Sequence, residues 1–111
     1  MPRRTPPTHP LALRRLNALG DRLRAARLRR KMSQTMLAER VGVTRQTIIK
    51  LEDGNPATSL ATVLRVLSVL GMGADIDRLA ADDTLGRDLQ DNALTRAPPS
   101  SSALPTRASK S

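Results

Sequence analysis

Along this chain the apolar residues fall three and four apart in successive short blocks, each bracketed by residues that start or stop a helix. In the first block, Leu16, Leu19, Leu23 and Ala26 form a stripe that predicts a helix starting at about Leu11 or Ala18 and ending at Lys31. Gly20 is a soft point at which that helix could begin. The second block is the 22-residue run SQTMLAERVGVTRQTIIKLEDG, from Ser33 to Gly54, which predicts two short helices and a tight turn. Ser33 is a good N-cap, Leu37, Ala38 and Val41 share one side, and Gly42 stops the helix at a left-handed position. Thr44 caps the next helix, in which Ile48 and Leu51 face inward and Arg45, Gln46, Ile49 and Lys50 are left outside. After the loop DGNPATS, Thr58 or Ser59 caps a fourth helix with Leu60, Val63, Leu64, Leu67 and Leu70 as its apolar face, ended by Gly71. Asp75 caps a fifth helix through Ala81, with Ile76 and Leu79 buried, and Leu85, Leu89 and Leu94 suggest one or two weak further turns. The predicted class is all-α, a compact bundle of about five helices.

The Ser33–Gly54 run has the residue types that a helix-turn-helix needs. Close crossing of two helices requires a small side chain in the first, supplied by Ala38, and the turn requires a residue tolerant of positive φ, supplied by Gly42. Any helical hairpin wants a small residue, a glycine and some aliphatics. What separates this run from an ordinary hairpin is the cation and amide character of its outer face, which suits the second helix to a DNA major groove.

These residues resemble the lambda repressor and Cro-like helix-turn-helix proteins, the XRE family, over about Leu19 to Leu70. The family's Gln-x-x-x-Ala-x-x-x-Gly core stands here as Gln34, Ala38 and Gly42, followed by Ile48, Leu51, Glu52 and Gly54. The resemblance implies a repressor that binds double-stranded operator DNA as a two-fold homodimer. It implies that Gln34 clamps a phosphate and that Arg45, Gln46 and Lys50 face bases or their flanking phosphates, with Thr44, Thr47 and Arg27 completing the DNA-binding set. Arg27 and Glu52 occupy positions that form a partly buried ion pair in that family; the plain alternative is two ordinary surface charges. Ile49 either touches a thymine methyl or is tolerated surface. Beyond the third helix, LGMGADIDRL and LGRDLQDNAL look like small HipB-type antitoxins. That second resemblance implies a HipA-like kinase as a further partner, docked on the acidic residues 75–94.

Charge agrees from an independent direction. The chain carries 19 Lys and Arg against 10 Asp and Glu, a net +9, which suits a polyanionic partner. The excess is uneven: residues 1–31 hold +9, residues 75–94 hold −4. There is no Cys, which excludes disulfides and the usual zinc fingers, and no Phe, Tyr or Trp, which argues against base-stacking single-strand and RNA modules.

The proline-rich Met1–Pro10 reads as a disordered basic arm, residues 11–94 as the helix-turn-helix domain with its acidic C-terminal helical segment, and residues 95–111 as a disordered tail. One domain of this size is marginal alone, which favours a dimer, with Leu70, Met72, Ile76 and Leu79 as apolar candidates for its surface. No stretch approaches the roughly 18 apolar residues of a membrane span. The Arg-rich N-terminus is superficially like a transit peptide, but Pro2, Pro6, Pro7 and Pro10 would interrupt its amphipathic helix. The expected location is the bacterial cytoplasm, at the nucleoid. His9 lies among prolines with no partner as a base, and the spacing of the Asp residues from Asp75 to Asp91 matches no EF-hand loop. No catalytic residue, cofactor or metal ligand is therefore expected.

Overall fold

The structure is a computed structural model that describes residues 7–96, so most of the arm and the tail lie outside the described residues. Among the described residues five α-helices and one 3-10 helix follow one another: α1 (Pro10–Arg29), α2 (Gln34–Val41), α3 (Arg45–Glu52), α4 (Leu60–Val69), a 3-10 helix (Gly73–Arg78) and α5 (Thr84–Arg96). The chain divides into a unit that runs to Asp77 and a second that starts at Arg78.

In the first unit, α1 to α4 enclose one aliphatic core of Leu23, Ala26, Met32, Leu37, Ala38, Val41, Ile48, Leu51, Val66, Leu67 and Leu70. α1 is longer at its start than a reading of Gly20 as a break allows. Pro10 sits in its first turn, where no N–H is needed, and His9 Nδ1 accepts from Leu11 N at 3.0 Å. His9 is thus a helix cap. Gly20 lies inside the helix and is buried: a Cβ there would stand 2.3 Å from the Glu52 carbonyl oxygen. The glycine is what lets α1 approach the C-terminal end of α3.

α1 closes with Lys31 at φ 57, Met32 N donating to Arg27 O and Lys31 N to Leu28 O, and the buried Met32 packs beneath the turn. The Ser33, Thr44 and Ser59 side chains each accept from the backbone N–H three residues on, satisfying one orphan donor of α2, α3 and α4. Gly42 ends α2 at φ 86. Gly54, at φ 76, ends α3 against the backbone of Asn17.

α4 is rotated from its predicted face. Leu60 and Leu64 are 64% and 39% exposed, whereas Val66 is wholly buried and Thr62 nearly so. LATVLRVLSV is apolar almost all round, so periodicity selects no side; packing on α2 does. Thr62 is tolerated inside because its hydroxyl pairs with the Ser59 cap at 2.9 Å. Leu70 belongs to the core at 2% exposure and is withdrawn from any dimer surface.

The fifth element also differs. Instead of an α-helix from Asp75 to Ala81, Gly73–Arg78 forms a 3-10 helix with Ile76 half-buried. Seven residues that include two Asp are too few to recover the cost of α-nucleation. In the second unit Leu79 is 62% exposed, contrary to expectation, and α5 is a full 13-residue helix rather than one or two weak turns. Asp83 starts it, accepting from Gly86 N at 2.9 Å, and Asp82 pairs with Arg87 at 2.6 Å on the surface. Leu85, Leu89 and Leu94 are all exposed. Among the described residues no helix is long and apolar enough to cross a membrane.

Candidate nucleic-acid interface

α3 is held by its inner face. Ile48 has no exposure and Leu51 4%, and with these two fixed the outer face of α3 carries the exposed Arg45, Gln46 and Lys50. Thr47 and Ile49 are half-buried at its margins. Thr44 and Thr47 are occupied locally: Thr44 Oγ1 accepts from Thr47 N, and the two hydroxyls lie 3.0 Å apart.

Behind this face sits a buried polar chain. Arg27 Nε and Nη2 donate to the two Glu52 carboxylate oxygens at 2.7 and 3.0 Å, a bidentate pair whose side chains are 6% and 3% exposed. Arg27 Nη1 donates to Met32 O at 2.9 Å, so the guanidinium also ties down the turn between α1 and α2. Gln34 Nε2 donates to Glu52 Oε1 at 3.1 Å, and Arg45 Nη2 donates to Gln34 Oε1 at 3.4 Å. Four residues from three helices are therefore linked in series, from a buried cation to an exposed one. The alternative of two ordinary surface charges does not hold for Arg27 and Glu52.

The candidate residues consequently fall into two layers. Gln34, Thr44, Arg45, Gln46, Thr47, Ile49 and Lys50 lie along α3 and the start of α2. Arg27 is behind them, 5% exposed, with its donors directed at Glu52 and Met32.

One part of the surface was missed. A shallow depression beside Lys50 is lined by Thr47, Asn55, Ala57, Thr58 and Ser59, where the α3–α4 loop delivers the N-terminus of α4 to the edge of the α3 face. Asn55 Oδ1 accepts from Ala57 N at 2.7 Å and sets this loop. The Asn-Pro turn followed by a Ser cap is its sequence signal. Such a helix N-terminus, with its free N–H groups and positive dipole end, is suited to an anion. Among the described residues no group of three or more His, Cys, Asp or Glu could hold a metal ion.

Comparison with known proteins bears on this geometry. Over 40 residues the chain is 55% identical to an uncharacterized HTH-type transcriptional regulator of Methanothermobacter thermautotrophicus, a match covering 36% of this chain and 58% of that protein. The chain thus matches less than two thirds of that relative's length. No solved structure matches it. Residues 18–81, more than half of the chain and all of α2, α3 and α4, match the helix-turn-helix domain family. With the paired helices, the left-handed Gly42 turn and the seated third helix all in place, the chain belongs to the helix-turn-helix domain family.

Proposed function

We propose that this protein is a sequence-specific double-stranded-DNA-binding transcriptional regulator, acting without enzymatic activity or cofactor as a dimeric repressor of the XRE type. The observation that carries the reading is the outer face of α3, where Arg45, Gln46 and Lys50 stand exposed on a helix locked from behind. Arg and Gln are the side chains that pair bidentately with guanine and adenine edges. The name of the archaeal relative, an HTH-type transcriptional regulator, supports the same reading. α3 has 8 residues, a length of about 12 Å that spans only three or four base pairs. Two copies related by a two-fold axis lengthen the site, which is why the operator is read as an inverted repeat. The depression beside Lys50 holds the phosphate backbone and sets register. A bacterial cytoplasmic, nucleoid-bound protein follows from that role.

Footprinting on the promoter of the protein's own operon tests this. We expect a protected inverted repeat whose half-site centres lie about 10 base pairs, or a multiple, apart. Arg45→Ala and Gln46→Ala should each cost about 1–3 kcal/mol on that site and little on random DNA. Protection of one asymmetric half-site by a monomer, or equal losses on both DNAs, would overturn the reading.

A second reading, a HipB-type antitoxin that also neutralises a HipA-like kinase, draws support from α5. Its Leu85 and Leu89 are 69% and 60% exposed beside Asp82 and Asp88, an acidic amphipathic face suited to a basic partner. Retention of a kinase from the native host by the full chain, and its loss when Asp82 and Asp88 become Asn, distinguishes this reading from the DNA-only one.

A further inference from the structure

The strongest concentration of charge in the described residues takes no part in the α3 face. α1 carries Arg14, Arg15, Arg22, Arg24 and Arg29 exposed, and among the described residues none of the five makes a hydrogen bond or ion pair through its side chain. Asp21 is the sole acidic residue on the helix. Arg15, Arg22 and Arg29 recur every seven residues. At about 1.5 Å per residue they form a ladder with rungs roughly 10 Å apart, and a seven-residue period drifts only about 20° per repeat, so they stay on one face with Arg14 beside them.

The direction of that face follows from the packing. α1 meets α3 through Gly20, against the Glu52 carbonyl, and through Arg27, paired with Glu52; Leu23 enters the core beside them, and Ala26 enters it roughly 110° further round the helix. At about 100° per residue the arginine ladder stands roughly 150° around α1 from Gly20 and Arg27, and it borders the buried Ala26. It therefore points away from α3 and lies outside any duplex along the outer face of that helix.

We propose that the outer face of α1 is a second, sequence-independent site for the phosphate backbone of duplex DNA, so that the protein bridges two DNA segments. The inference rests on the DNA-binding reading above. Its ligand follows from the chemistry of the face. The cations are all Arg, whose planar fork engages phosphate oxygens in pairs. Between them lie Ala18 and Ala25, too little apolar surface for the centre of a protein interface. Duplex DNA presents about one negative charge per 1.7 Å of its axis, so a ladder of about 20 Å meets phosphates in any register. Binding through it is expected to depend on salt and to ignore sequence.

The test uses the full chain and the variant R15Q/R22Q/R29Q, which keeps good helix formers while removing three charges. The promoter duplex protected in the footprint is immobilised, saturated with protein, and offered a labelled 30-base-pair duplex of unrelated sequence. We expect the natural protein to capture the second duplex and the variant to capture at least tenfold less, with affinity for the immobilised duplex changed less than twofold. Three results would overturn the proposal. In one, the natural protein captures nothing. In another, the variant captures as well as the natural protein. In the third, affinity for the immobilised duplex falls as far as capture, which would put the ladder on the operator itself. Retention of labelled polyglutamate but not of the duplex would count as the first, and would assign the face to an acidic protein. Absence of any footprint would instead remove the DNA-binding reading, a separate failure.

Discussion

Replacing Glu52 with Ala is expected to destabilise the protein by about 3–5 kcal/mol, because it leaves the Arg27 guanidinium buried at 5% exposure without its counter-charge. An exposed pair would be worth little; here both partners are nearly closed to water, so the desolvation cost of the survivor dominates. The loss should appear as a lower midpoint in urea with an unchanged slope. Changing both partners to apolar residues, R27M/E52L, should recover much of it, since no unpaired charge then remains. The two variants also separate stability from positioning. In either, Gln34 Nε2 loses its acceptor and no longer holds its carbonyl toward Arg45, so DNA discrimination should stay impaired in the double variant even where stability returns. A single Glu52→Ala variant as stable as the natural protein would refute the buried-pair account. A double variant with full discrimination would confine the pair to folding.

Gly20→Ala should also be severe, against the usual sign of that exchange. In an open helix, alanine in place of glycine gains up to about 1 kcal/mol. At this position the new methyl would lie 2.3 Å from the Glu52 carbonyl oxygen and 2.9 Å from that of Leu51. Both are backbone atoms at the end of α3, and neither can rotate aside as a side chain would. Relief requires α1 and α3 to separate, which would open the core around Leu23 and Leu51 and stretch the pair between Arg27 and Glu52. Overpacking of this kind costs about 1–3 kcal/mol, and the immobile neighbour places the net loss near the upper end, about 2–3 kcal/mol. For a domain of this size that is a fall of roughly 10 °C or more in Tm, measurable by circular dichroism. A rise in Tm would mean that α1 and α3 do not approach as closely as described.

The elements legible in the sequence are those whose causes act within a few residues. Ser33, Thr44 and Ser59 cap the N–H three residues ahead of them, and Gly42 adopts the left-handed turn, whatever surrounds them; the same local chemistry set the inward direction of Ile48 and Leu51. Hence α2, the turn, α3 and its outer face of Arg45, Gln46 and Lys50 could be placed from residue order. The antecedent of the Arg27 and Glu52 pair was reachable only through family resemblance, because 25 residues separate them. What only the tertiary structure decided was any question of one element's side against another. Gly20 reads as a weak point in isolation and as a contact point once α3 lies across it. α4, apolar nearly all round, had no preferred face until α2 selected Val66 and left Leu60 outside. Local chemistry is encoded in neighbours along the chain, whereas burial is a property of neighbours in space, and a short sequence window contains only the first.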